Sequence, residues 1–256
     1  MKLNTFITLL SASGFLVAGA SAGTISVNFD GQSGTGTPGA VTGVAGAIAV
    51  GNWNNTGPGN AGNAGPLDLV DDSGAATGAT VNWSVANHWT TNGGDSSGGD
   101  AQMMQGYLDN FHDRPPIVVS GIPASFMSSG YELRIYHNTD SAGAMGFTVD
   151  DGSGPTTYYS HQPGGNNSNF PLAGADPFGG AAGYIGSQDT NAGTTVASNY
   201  TLFTGLTGDL SIQGVRGAAG DTRTRPNGFQ ITQVPEPSSI LLLVLGSAGI
   251  FIRRRR

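Results

Sequence analysis

Apolar and polar residues alternate along short stretches of this chain, and this two-residue period constrains the fold more than any other feature. The stretches 25–29, 81–85 and 131–136 each place apolar side chains at every second position. Because successive side chains of a β-strand point to opposite faces, each stretch predicts a strand with one buried face. Further candidate strands are 47–50, 116–120, 145–149, 156–160, 200–203, 210–213 and 228–232.

Glycine-rich gaps separate these stretches. Glycine contributes 43 of 256 residues, far above its usual share of roughly 7%. It occurs beside Ser, Thr, Asn and Asp, as is typical of turns, and residues 150–154 predict a hairpin loop. Residues 102–111 form the one plausible helical turn, and the composition of 31–43 and 51–65 favours disorder. About ten short strands with such gaps predict an all-β fold, here an antiparallel, jelly-roll-like β-sandwich.

The first 22 residues have the features of a signal peptide. Lys2 supplies a minimal positive region, residues 6–18 are mostly apolar, and Ala20, Ser21 and Ala22 form a small-residue cleavage site. The sequence therefore predicts export, with a mature chain that begins near Gly23. The chain contains no cysteine, so no disulfide stabilises the exported domain.

The last residues form a tail of three parts. Pro235, Glu236 and Pro237 are stiff and extended because each proline ring fixes φ. Residues 240–252 carry no charge, and they are followed by Arg253, Arg254, Arg255 and Arg256. The apolar run is shorter than the roughly 20 residues that span a bilayer, but arginines can snorkel to extend it. The predicted division is a signal peptide at 1–22, a secreted domain at 23–233 and a membrane-inserted sorting helix at 234–256.

This tail resembles the PEP-CTERM sorting domain of Gram-negative bacteria that produce exopolysaccharide. The resemblance implies that an exosortase-type membrane protease cuts near Pro235–Pro237 after export through the Sec translocon. The strand series also resembles secreted galactose-binding-like jelly rolls, on the segments 118–123, 130–136, 199–208 and 227–231. That second resemblance implies a β-sandwich body and leaves its ligand open.

Residues 23–233 are strongly acidic. They contain five arginines, no lysine and 16 acidic residues, a net charge of −11. A body with this charge repels nucleic acid and anionic lipid, so neither is an expected partner.

Four aromatic residues are candidates for a carbohydrate-binding surface, namely Trp53, Trp89, Tyr158 and Tyr159. Trp53 lies among asparagines, Trp89 follows Asn87 and His88, and the tyrosines follow the predicted hairpin. Aromatic rings pack against sugar rings, while Asn and Asp side chains bond their hydroxyls. The alternative for each is core packing, which is the prediction for Trp83 in its alternating strand.

The sequence predicts no catalytic or cofactor site. The four histidines are scattered without zinc-ligand spacing, and the G-x-S-x-G match at 94–98 lies in a Gly/Ser/Asp loop rather than between a strand and a helix. A structural calcium remains an alternative at Asp68, Asp71 and Asp72, or at Asp150 and Asp151, since carboxylates are calcium ligands.

These observations predict an exported, exosortase-sorted, non-catalytic protein of the envelope or the extracellular matrix. It is expected to be anchored briefly by its C-terminal helix and then to lie at the cell surface or outside the cell. Two alternatives stay open: a carbohydrate-binding, lectin-like module and a secreted hydrolase.

Overall fold

The computed structural model describes residues 23–30, 40–57, 62–85, 87–91, 99–164, 169–220 and 223–235. The strands are β1 Thr24–Asn28, β2 Asn54–Asn55, β3 Gly62–Val70, β4 Ala76–Val85, β5 Asn87–Thr90, β6 Gly106–Asp109, β7 Ile117–Ser120, β8 Tyr131–Tyr136, β9 Gly143–Asp150, β10 Thr156–Gln162, β11 Gly186–Ser187, β12 Tyr200–Leu206, β13 Leu210–Gly220 and β14 Gly228–Gln233. Two short helices, α1 Gly99–Met103 and α2 Ala124–Met127, and a 3-10 turn at Phe111–Asp113 complete the described elements.

Two six-stranded sheets pack against each other as a β-sandwich. Sheet 1 has the order β11-β12-β8-β14-β1-β2, and sheet 2 has the order β10-β9-β13-β7-β4-β3. Strands β5 and β6 form a separate two-stranded pair. The mostly β sandwich confirms the predicted class. The longer strands pair in antiparallel fashion, and the two-residue strands β2 and β11 each join an edge of sheet 1 in parallel.

The core between the sheets follows the alternation in the sequence. Leu133 on β8 and Ile231 on β14 are fully buried and directly paired in sheet 1. Val81 on β4 and Val119 on β7 are equally buried and paired in sheet 2. All four belong to one apolar cluster, so the strands with the clearest alternation are those that line the core.

Two local predictions are corrected. Residues 47–50 are a turn closed by an isolated bridge between Ala45 and Val50, because this glycine-flanked apolar segment covers sheet 1 instead of joining it. The helical turn predicted at 102–111 ends at Met103 and is followed by β6. The change occurs because residues 106–109 pair with β5, and Tyr107 and Leu108 are both buried there.

Loops bury the outer face of sheet 1. A second apolar cluster, separate from the core between the sheets, contains Val41, Ala45, Ala47, Trp53, Met103, Met104, Tyr136, Tyr184, Tyr200 and Leu202. Residues 40–43 and 51–57 therefore belong to the packed structure and residues 62–65 begin β3, so the disorder predicted for these parts of 31–43 and 51–65 is wrong. The structure does not describe the other parts of the two predicted loops, residues 31–39 and 58–61.

The predicted signal peptide lies outside the described residues, and of the predicted sorting segment 234–256 the structure describes Val234 and Pro235. Within the described ranges, no helix has the length and apolar character that crossing a bilayer requires.

Candidate functional site

Trp53 lies in the interior rather than on a loop surface. Its side chain is 6% exposed, and its indole Nε1 donates to the Val50 carbonyl at 3.1 Å. Its ring centroid lies 6.3 Å from that of Tyr136 in the second apolar cluster. The asparagine-rich neighbourhood predicted an exposed ring, and the structure corrects that prediction because the loop folds back on sheet 1. A buried ring of this kind offers no face to a sugar.

Trp89 is half-buried on β5, which pairs with β6 apart from the two main sheets. Its cross-strand partner is Tyr107. The flanking residues His88 and Thr90 are buried, and so is Tyr107 on the same face, so Trp89 is a half-buried ring among buried neighbours.

Tyr158 and Tyr159 point to opposite faces of β10, as consecutive residues of a strand must. Tyr158 packs on the core, with its ring centroid 5.1 Å from that of Phe203. Tyr159 is half-buried on the outer face of sheet 2, directly opposite Gly146 on β9. A Cβ atom added to Gly146 would lie 2.5 Å from the Tyr159 ring, so the ring covers the space that the missing side chain leaves.

The outer face of sheet 2 is built from short polar side chains in cross-strand rows. The first row is Tyr159, Gly146 and Val215; the second is Thr157, Thr148 and Gln213; the third is Asp150, Ser211, Val118 and Asn82; the fourth is Ser120, Thr80 and Asp68. Apart from Gly146, these residues are half-buried or exposed. This face therefore differs from the outer face of sheet 1, which loops cover.

Three of the five aspartates proposed as calcium ligands, Asp71, Asp150 and Asp151, serve as acceptors in turns. Asp71 accepts from the Ser73 hydroxyl at 2.6 Å, and that bond is the main cause that lowers the pKa of Asp71. Asp150 accepts from the Gly152 and Gly154 amides, and Asp151 from the Ser153 hydroxyl. Among the described residues, no three His, Asp or Glu side chains come together as metal ligands do.

The structure adds a buried ionic cluster that the sequence did not reveal. Arg225 is fully buried, and its Nε lies 3.1 Å from Asp109 Oδ1. Its Nη1 donates to Thr139 Oγ1 at 3.2 Å and lies 3.7 Å from Asp140 Oδ1. The guanidinium also lies 5.9 Å from the ring centroid of Tyr107. The cluster ties the segment before β14 to β6 and to the loop after β8.

A second buried titratable group is His137, which follows β8. Its Nδ1 faces the Asn169 amide nitrogen at 3.4 Å, and its Nε2 has no hydrogen-bond partner among the described residues. An imidazolium needs acceptors at both nitrogens, and this site supplies none. Burial is the main cause that lowers the pKa of His137 from 6.5 to about 3, and the positive charge of His161 adds to the effect.

Acidification should destabilise the fold through His137. Its folded pKa lies below its unfolded pKa, so the unfolded chain takes up a proton first as the pH falls from about 6.5 towards 3. Stability should therefore decrease with falling pH, by about 3 kcal/mol between pH 7 and pH 4 from this group. Urea unfolding of wild type and His137→Gln at pH 7, 5.5 and 4 measures it. The variant should show the shallower pH dependence, and parallel curves would contradict the assignment.

The predicted sorting signal joins the body at the centre of sheet 1. Strand β14 pairs with β1 on one side and β8 on the other. The Gln233 amide donates to the Gly23 carbonyl at 3.0 Å, and the Val234 amide donates to the Gly130 carbonyl at 3.2 Å. Ser129 Oγ also donates to the Val234 carbonyl at 2.7 Å. The chain is thus held through Val234, and Pro235 is exposed.

The same hydrogen bonds place the two predicted processing regions side by side. Gly23, where the mature chain is predicted to begin, is directly bonded to Gln233. Of the predicted sorting residues, Pro235 leaves the body here; Glu236, Pro237 and Arg253–Arg256 lie outside the described residues.

Comparison with known proteins adds one match, and it falls on this tail. No curated protein matches the chain. No solved structure matches it either. Residues 233–256 match the family model described as the PEP-CTERM protein-sorting motif, which begins at the last residue of β14 and marks the chain as an exported protein sorted through its C-terminus by exosortase.

Proposed function

We propose that this protein is a non-catalytic component of the cell envelope or the extracellular matrix. Export through the Sec translocon inserts the C-terminal segment in the inner membrane, and an exosortase-type membrane protease then processes the tail. The released body is a galactose-binding-like, jelly-roll β-sandwich that lies at the cell surface or outside the cell, in a matrix of exopolysaccharide. The match of residues 233–256 to the sorting motif carries this proposal.

The geometry of the body supports a sorting role for the tail. Backbone and side-chain bonds hold the chain as far as Val234, and the matched motif starts at Gln233. The stiff Pro-Glu-Pro segment therefore begins where the folded body ends. A membrane protease can reach such a segment without unfolding β14.

The composition of the body fits an extracellular role. Residues 23–233 have no lysine and a net charge of −11. High net charge of one sign favours solubility and disfavours binding to nucleic acid and anionic membranes. The aspartates that hold turns, such as Asp71 and Asp151, show that part of this charge also shapes the loops.

Processing in the native host tests the proposal. Mature protein should begin near Gly23 and lack Arg253–Arg256, as measured by intact-mass spectrometry. Replacing the four terminal arginines by serine should reduce membrane retention of the precursor, because the 13-residue apolar run needs snorkelling arginines to span a bilayer of roughly 30 Å.

The matched control is Arg216→Ser, which removes a half-exposed arginine of the body and should leave processing unchanged. A mature protein that retains both ends would refute sorting by this tail. Unchanged fractionation of the four-serine variant would refute the anchoring role of the arginines.

A further inference from the structure

The outer face of sheet 2 combines two kinds of side chain that a sugar chain needs. Tyr159 lies against Gly146 and beside Val215, which leaves an aromatic and aliphatic platform for the apolar face of a sugar ring. The next row presents Thr157, Thr148 and Gln213. Adjacent strands lie about 4.8 Å apart, so these polar groups form a ladder next to the platform.

The hydroxyl groups of this ladder are connected to each other. Thr148 Oγ1 and Thr157 Oγ1 lie 2.7 Å apart, and either can donate to the other. A hydroxyl pair of this kind has both donor and acceptor capacity left for a ligand. Gln213 is held in place by donation from its Nε2 to the Arg114 carbonyl at 3.0 Å, so its Oε1 is left to accept.

The charge of this face distinguishes between anionic and uncharged polysaccharides as ligands. Two carboxylates of these rows, Asp150 and Asp68, lie in the two rows farthest from Tyr159, and a third, Asp189, lies opposite Tyr159 through an antiparallel bridge. The Asp150 carboxylate is already occupied by the amides of Gly152 and Gly154. No arginine or lysine stands in these rows to pair with an acidic ligand, and the body carries a net charge of −11. An anionic polysaccharide would be repelled, whereas an uncharged one would not.

We propose that the outer face of sheet 2, with Tyr159 as its platform, binds a neutral polysaccharide. The occupant is an uncharged glycan chain that lies across the strands from Tyr159 towards Val118. This surface deepens the proposed matrix role, but its test does not depend on processing of the tail.

Affinity electrophoresis of the native protein tests the proposal. Gels contain hydroxyethylcellulose, dextran, galactomannan or the host's own exopolysaccharide, with alginate as an anionic polymer. We expect retardation by at least one neutral polymer and none by alginate. Tyr159→Ala should weaken that binding at least about fivefold, since one aromatic contact contributes roughly 1 kcal/mol, and Tyr159→Phe should retain it.

The matched control is Trp89→Ala, which removes a half-buried aromatic residue from the separate strand pair β5–β6. Trp89→Ala should leave polysaccharide binding unchanged. If Trp89→Ala lost binding and Tyr159→Ala kept it, the binding site would lie at β5 and the proposal would be overturned. A second variant, Thr148→Ala, removes one hydroxyl of the ladder without touching the platform and should also weaken binding. It keeps the proposal testable if Tyr159→Ala fails to fold.

Three other results would overturn the proposal. One is the absence of retardation of wild type by every neutral polymer. Another is retardation by alginate alone. The third is sedimentation velocity that shows a wild-type dimer broken by Tyr159→Ala, since the face would then bind a second copy. Mass spectrometry of Tyr159→Ala from the host should show the wild-type termini, so failure of glycan binding is distinguishable from failure of sorting.

Discussion

Replacing Trp53 by alanine should destabilise the protein by about 3–5 kcal/mol, because truncating a buried tryptophan loses its transfer free energy and leaves a cavity. Trp53 is 6% exposed and packs on Tyr136 beneath the loop that covers sheet 1. The loss also removes the bond from its indole to Val50. Chemical denaturation should show a lower midpoint, and a temperature scan a lower Tm.

The control for Trp53 lies in the same loop. Val44 is 62% exposed, so Val44→Ala should change stability by no more than about 0.5 kcal/mol. A Trp53→Ala variant as stable as Val44→Ala would show that the loop is not packed on sheet 1. Trp53→Phe keeps most of the ring and should fall between the two.

Replacing Arg225 by alanine should cost a similar amount, about 3–5 kcal/mol, for an electrostatic reason. Removal of one partner of a buried ion pair leaves the other charge buried and less well compensated, since Asp109 would keep only the partly exposed Arg223, with Nη1 at 3.6 Å. Asp109 is the carboxylate affected most, because its side chain is 15% exposed and lies 3.1 Å from Arg225 Nε. Urea unfolding at neutral pH measures the change.

Arg216→Ala is the matched control for the ion pair. Arg216 contacts Asp113 at 3.2 Å, but the two side chains are 55% and 59% exposed. Exposed pairs of this kind contribute about 0–1 kcal/mol. Equal losses for the two alanine variants would contradict the view that burial makes the Arg225 cluster important.

The strands of the core could be predicted because local pattern and tertiary environment agree there. In β8, alternate residues such as Leu133 and Ile135 enter the core, and the predicted range 131–136 is the observed strand. The prediction failed where a residue's partner is distant in the chain. Asn54 lies in a segment that was predicted to be a loop. Its Nδ2 donates to the carbonyls of Ser26 and Val70, and its Oδ1 accepts from the Val70 amide.

The side-chain amide of Asn54 thus bridges the backbones of β1 and β3, as the backbone groups of an intervening strand would. These hydrogen bonds hold the loop that carries Trp53 in place. Nothing local in an asparagine-rich segment indicates such a partner. The different environments of Tyr158 and Tyr159 could be predicted from the sequence, since consecutive residues of a strand point to opposite faces of the sheet. The alternation of side chains along β10 does not reveal that Tyr159 lies opposite Gly146, whose missing side chain makes room for the Tyr159 ring.

The position of β14 also has a mechanical consequence. A force applied through Pro235 acts along the axis of β14, whereas the ladder bonds of antiparallel strands run perpendicular to that axis. The force therefore shears the five residue pairs with β1 and the six with β8 together. An edge strand such as β3 has one neighbour and offers half of this resistance. Attachment through a central strand therefore slows forced unfolding, which depends on the unfolding rate.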